Sequence, residues 1–122
     1  MMATYTITLS NCVFFARHGV HDEEEVLGQR FFVDAELSVE CGDGLASDTI
    51  EGKLDYAMAF AEIQRIMTGK RRRLIETLAH DIARGLCAAF EPVTWAKVTI
   101  RKPNAPVPGI LDHVAVTVEC SA

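Results

Sequence analysis

The hydrophobic period of this sequence changes from two to about 3.6 and back to two, so strands, then helices, then strands must share one core. Tyr5, Ile7 and Leu9 alternate with Thr4, Thr6 and Thr8, giving a strand with one apolar and one polar face. Pairing is expected to resume over Val13 to Ala16 after an interruption at Ser10-Asn11. In the next strand Phe31, Val33, Ala35, Leu37, Val39 and Cys41 fall on one side and Phe32, Asp34, Glu36, Ser38 and Glu40 on the other, until Cys41-Gly42-Asp43-Gly44 ends it. From Asp55 the spacing becomes helical: Met58, Ala59, Ile63, Ile66 and Met67 predict a helix over 55–68, with Asp55 as N-cap and Gly69 at the exit. Ile75, Leu78, Ile82, Leu86, Ala89 and Phe90 predict a second over 74–90, closed by Pro92. Val98 and Ile100 then oppose Lys97, Thr99 and Arg101, and Val114, Val116, Val118 and Cys120 oppose His113, Ala115, Thr117 and Glu119.

The order is ββααββ. Four one-faced strands and two one-striped helices bury each other as a two-layer α+β domain: an antiparallel four-stranded sheet with both helices on one face. Four strands cannot close a barrel, so two sheet edges remain to be protected or paired with another copy. Edge-to-edge assembly into a closed ring, with the polar sheet face lining its interior, predicts a homo-oligomer.

The 122 residues fit one domain, 1–122. A formal charge of -5 is the wrong sign for gripping a nucleic-acid backbone or an anionic membrane, so a small ligand is the expected partner. No apolar run approaches the ~20 residues of a membrane span and no secretory pattern opens the chain, so a cytoplasmic location is expected. Cys12, Cys41, Cys87 and Cys120 lie far apart without a C-x-x-C pair, which reads as reduced thiols rather than a zinc knuckle or redox dithiol.

Three segments are not explained by the fold. In 18–29, HGVHDEEEVLGQ, His18-Gly19 and Gly28-Gln29 bracket four acids, Asp22 to Glu25, in what reads as a loop between strands. A plain solvated connection needs no such brackets. His18 and His21 have H-x-x-H spacing, but a strand-linking loop does not put the two imidazoles on one face, and no metal is expected. The second segment centres on Glu76, flanked by the core-facing Ile75 and Leu78. Glu76 suits the helix macrodipole and an i, i+4 pair with His80; alternatively, its carboxylate accepts two parallel N–H bonds from an amidine-like heterocycle edge. The third is Lys102-Pro103-Asn104-Ala105-Pro106-Val107-Pro108-Gly109 at a strand end. Pro103 holds Lys102 extended and the loop is stiff, so the ammonium leaves the sheet in a defined direction. With the like charge of Arg101 beside it and partial desolvation, Lys102 is the leading proton-transfer candidate. Tyr56 opens the first helix, where its phenol either covers core or reaches a ligand. Arg71-Arg72-Arg73, ahead of the second helix, is either a solvated run or a phosphate contact.

Together these segments resemble dihydroneopterin aldolase of folate biosynthesis. The resemblance rests on His18, Gly19, Glu24, Gly28, Gln29 and Phe31, on Tyr56, on LIE.LA at 74–79 and on KP.AP.PG at 102–109. It implies the tunnelling fold, in tetrameric rings that commonly stack as octamers, with active sites between subunits. It implies that Glu76, helped by backbone near Ile75, anchors the pterin edge, that Glu24 and Tyr56 contact substrate and act in catalysis, and that Lys102 is the general acid/base. The implied reaction is retro-aldol cleavage of 7,8-dihydroneopterin, usually accompanied by epimerisation at C2′, with no cofactor, metal or lysine Schiff base. One departure is local: the family usually has Asp-Thr before the tyrosine, where this chain has Gly52-Lys53, which points to a different entry into the first helix. Three alternatives are a dihydroneopterin triphosphate 2′-epimerase using the arginine run, a zinc enzyme of the 6-pyruvoyltetrahydropterin synthase type using His18 and His21, and a non-catalytic pterin-binding protein.

Overall fold

The computed structural model describes residues 3–122. Its first strand, β1 (Ala3–Ala16), runs unbroken through the interruption expected at Ser10-Asn11. Inward residues on β1 are odd-numbered up to Leu9 and even-numbered from Cys12, so one extra residue must enter for both halves to face one core. It does so at a bulge: Leu9 pairs with Ala35 and Cys12 with Val33. Asn11 adopts φ 57°, donates its N–H to Asp34 Oδ1 at 2.6 Å and accepts from Arg101 at 2.7 Å, so side chains satisfy what the ladder gives up.

The remaining elements are α1 (Asp22–Leu27), β2 (Gln29–Gly42), a 3₁₀ turn at Gly44–Ala46, α2 (Tyr56–Met67), α3 (Ile75–Ala89), β3 (Val93–Lys102) and β4 (Val114–Ser121). The sheet is antiparallel in the order β1-β2-β3-β4, and among the described residues β1 and β4 are its unpaired edges. The helices begin and end within a residue of the predicted bounds. Asp55 caps α2, its carboxylate accepting from the Ala57 N–H at 2.9 Å.

One expectation is corrected here. The acidic run in 18–29 is not a loop, because Asp22–Leu27 forms the short helix α1. Four acids in its first turn meet the positive end of the helix dipole, which makes a short acidic helix more favourable than the charge run suggests.

Phe31, Val33, Leu37 and Val39 of β2, Ile63 and Met67 of α2, and Leu78, Ile82 and Leu86 of α3 have no exposed surface and form the core. The opposite sheet face is polar: Arg101 pairs with Asp34 at 3.1 Å and Thr99 meets Thr117 at 2.8 Å. β3 changes phase near its start, where Ser38 pairs with Trp95 and Val39 with Val93; from Ala96 its even residues point into the core. That parity carries Ala96, Val98 and Ile100 inward and, at the end of the strand, Lys102 with them. Ile63→Ala is expected to cost about 2–5 kcal/mol, read as a lower urea midpoint with an unchanged denaturant slope.

Candidate active site

Lys102 is 7% exposed, and an ammonium so buried requires a counter-charge. Glu24 supplies it: its Oε2 forms an ion pair with Lys102 Nζ and accepts from Gln29 Nε2 at 3.0 Å. Its Oε1 accepts the His21 N–H at 3.3 Å, the reach of an N3 glutamate back to the residue ahead of its helix. Burial opposes ionisation of Glu24, but the bonds from Lys102, His21 and Gln29 with the charge of Lys102 outweigh it and hold the carboxyl below its usual range. Arg101, expected beside Lys102, has the opposite parity and lies on the other sheet face against Asp34 and Phe32. The charged neighbour of Lys102 is therefore Glu24.

Gly19 gives this carboxylate its room. Its φ is 148°, and a Cβ there would fall 2.3 Å from Glu24 Cδ. His18, before it, is 1% exposed and fully engaged: the Arg72 N–H donates to Nδ1 at 2.9 Å, so Nε2 carries the proton and donates to the Met67 carbonyl at 2.7 Å. Neither nitrogen is left for the H-x-x-H metal reading, and among the described residues no group of three His, Cys, Asp or Glu is arranged to hold a metal ion. Burial is the largest influence on His18 and lowers its pKa, and the charges of Lys102, Arg71 and Arg72 add to this against the Met67 bond.

The arginine run is divided rather than gathered on a phosphate. Arg71 donates to the carbonyls of Gly19 at 2.9 Å and His21 at 3.2 Å, and Arg72 pairs with Asp81 at 2.7 Å while its own carbonyl accepts the Gly19 N–H at 3.0 Å. These two residues hold the segment that carries Glu24, a role that sequence reasoning missed. The distance of more than fifty residues from Gly19 to Arg71 in the chain left no local signal for it.

Above the ion pair opens a pocket of about 280 Å³. Glu24 and Lys102 line it together with Glu76, Ile75, Leu74 and Arg73 at the start of α3, Ala105 and Pro106 of the stiff loop, and Val114 and Val116 of edge strand β4. No side chain caps the first turn of α3, so its N–H groups are available there for a ligand's acceptors. Glu76 is exposed at this pocket and makes no hydrogen bond or ion pair among the described residues; His80, its expected i, i+4 partner, lines a different recess. Four of the five site residues predicted from sequence, Glu24, Ile75, Glu76 and Lys102, thus meet in one place.

Tyr56 does not join them within one chain. Its side chain is 64% exposed and does not line the pocket. The entry to α2 is held instead by Lys53, whose Nζ donates to the carbonyls of Ser47 and Thr49, and by the Leu54 N–H, which donates to the Tyr5 hydroxyl at 3.0 Å beside edge strand β1. Lys53, at the position of the departure noted above, therefore ties down the preceding loop.

A buried ammonium paired with a half-buried carboxylate at an open apolar pocket, with a second, unpaired carboxylate lining it, has the makings of an enzyme site that moves protons on a flat, N–H-bearing ligand. The chain belongs to the dihydroneopterin aldolase family, whose sequence model (FolB) matches residues 7–119. It is 37% identical over 113 residues to the dihydroneopterin aldolase of Streptococcus pyogenes serotype M18, covering 93% of this chain and 95% of that one. With the enzyme of Methylorubrum extorquens it shares 38% over 112 residues, 92% of this chain and 86% of the other. The fold matches E. coli dihydroneopterin aldolase in complex with neopterin at a TM-score of 0.85 and 24% identity, over 96% of this chain and 99% of that one.

Two outcomes follow from this geometry. His18 is depressed in the folded state relative to an ordinary imidazole near 6.5, so the stability it contributes is complete above that pH and is lost as pH falls toward its folded value. The advantage of wild type over His18→Gln in urea unfolding should narrow between about pH 7.5 and 5.5, by up to about 1.4 kcal/mol per unit; a pH-independent difference would contradict it. Gly19→Ala should displace Glu24 and lower turnover by about a hundredfold while far-UV circular dichroism stays unchanged.

Proposed function

We propose that the Glu24–Lys102 pair carries the aldolase chemistry of this chain on 7,8-dihydroneopterin. The single observation that carries this reading is a buried ammonium paired with a half-buried carboxylate at the pocket, which the exposed carboxylate of Glu76 also lines. Dihydroneopterin presents an amino-pyrimidinone edge, a ring N–H beside an exocyclic amine, that matches the two acceptors of a carboxylate. Glu76 takes that edge, and the N–H groups at the start of α3 near Ile75 take the ring acceptors.

The trihydroxypropyl side chain then extends toward Lys102 and Glu24. Cleavage removes the proton of the 2′-hydroxyl, forms the carbonyl of glycolaldehyde and breaks the C1′–C2′ bond. The electron pair moves into the substrate's own ring imine, protonated at N5, to leave an enamine; protonation at C1′ with loss of the N5 proton then gives 6-hydroxymethyl-7,8-dihydropterin. The substrate supplies its own electron sink, so the protein's task is to move protons. Lys102, with Glu24 to accept and return its proton, is suited to that. Rejoining the fragments on the other carbonyl face gives the C2′ epimer.

Tyr56 comes from a neighbouring copy. Two observations support this: β1 and β4 are unpaired edges, and Val114 and Val116 of edge strand β4 line the pocket. Pairing β4 of one protomer with β1 of the next closes a tetrameric ring, which stacks into an octamer and puts the sites between subunits; a cytoplasmic location belongs to the same reading.

Lys102→Ala is expected to lower the rate of glycolaldehyde release by about 10²–10⁴ with little change in neopterin affinity. Glu76→Ala should instead weaken neopterin binding by about tenfold or more. Near-normal turnover in the first, measured by single-turnover product analysis, or unchanged affinity in the second, measured by fluorescence titration, removes that residue from its role.

A further inference from the structure

The arginine run sends one side chain to each of three places, and one of them is a recess the pterin chemistry does not use. It lies between the C-terminal end of α2 and the middle of α3 and encloses about 570 Å³, twice the volume of the pterin pocket. Arg65, Lys70, Arg72 and Arg84 line it with His80, against a single carboxylate, Asp81. In a chain of net charge -5 this gathers a third of the twelve lysines and arginines on one concave surface.

Internal pairing does not neutralise it. Arg72 is held by Asp81 at 2.7 Å, and Arg65 by the two oxygens of Glu62 at 2.6 and 3.0 Å. Lys70 and Arg84 are exposed and make no hydrogen bond or ion pair among the described residues. Two full charges therefore remain, one from the α2–α3 connection and one from α3. Gly85 keeps the space between the helices narrow, since a Cβ there would fall 2.9 Å from Ile66 Cδ1 and 3.2 Å from Glu62 Oε2.

We infer that this recess binds an oligophosphate chain, from an inorganic polyphosphate or from a nucleoside triphosphate. Cations supplied by separate segments of the chain suit a ligand whose charge is distributed along its length, and the arginines offer a fork of N–H donors to phosphate oxygens. A lone monoanion would meet the Asp81 carboxylate without gaining both cations. No aromatic side chain except the His80 imidazole lines the recess, so a nucleobase would find little stacking surface and the phosphates carry recognition.

The test is isothermal titration of the intact protein with tripolyphosphate, ATP and adenosine at fixed ionic strength, without divalent cations, and with neopterin present to occupy the pterin pocket. Saturable binding of tripolyphosphate at one site per chain is expected, with ATP within about threefold of it if the phosphates alone are read, and no binding of adenosine. Lys70→Glu with Arg84→Glu should weaken tripolyphosphate by about tenfold or more and leave dihydroneopterin turnover unchanged. Lys70→Gln with Arg84→Gln gives the same comparison should the charge-reversed protein fail to fold. Absence of saturable tripolyphosphate binding, or equal affinity in wild type and the folded variant, would overturn the assignment.

Discussion

Lys102 stands at the end of a strand whose inward residues are otherwise apolar, and an unpaired ammonium there would cost several kcal/mol. That cost organises the site around it. Glu24 must come to the lysine, so the chain between β1 and β2 folds into a short helix that delivers a glutamate at its third position. Gly19 must lack a side chain because the carboxylate occupies that space, and Gln29 holds the same oxygen that faces the lysine. A buried ion pair of this kind adds little net stability, since desolvation cancels much of the attraction. In the proposed reading its value lies in holding a proton donor and a proton acceptor at a fixed place beside the pocket.

The frame around the pair is built from backbone contacts across long chain distances. His18 is clamped between the Met67 carbonyl at the end of α2 and the Arg72 amide before α3, and Arg71 and Arg72 return bonds to Gly19 and His21. The α2–α3 connection and the β1–α1 connection therefore act as one unit. This explains why histidine and arginines that resemble ligands for metal and phosphate in the sequence are mostly spent on other parts of the protein.

Much of the fold was legible because its signals are local. Alternation fixed the strands and three-and-four spacing fixed α2 and α3, whereas Ser10-Asn11 showed only as an interruption, because Val13 and Phe15 are as apolar as Phe14 and leave the bulge to the structure. The parity of β3 also separates Lys102 from Arg101, although adjacency alone suggested that they act together. The helix at Asp22–Leu27 was hidden because a run of acids reads as solvated chain unless its position at a helix start is known. Glu76 and Lys102 stood out by residue type and position, Glu24 and Ile75 by motif resemblance, and their convergence is a property of the fold.

By itself the sequence determined most of the residues that face inward, the order of the four strands and the two long helices, and the residue types available for proton transfer, because periodicity and turn chemistry act over a few residues. Only the tertiary structure decided that Glu24 is the partner of Lys102, that His18 is a strut, and that Tyr56 lies outside its own chain's pocket. Those outcomes depend on packing between segments far apart in the chain, where burial and hydrogen-bond satisfaction choose among partners that local pattern leaves equivalent.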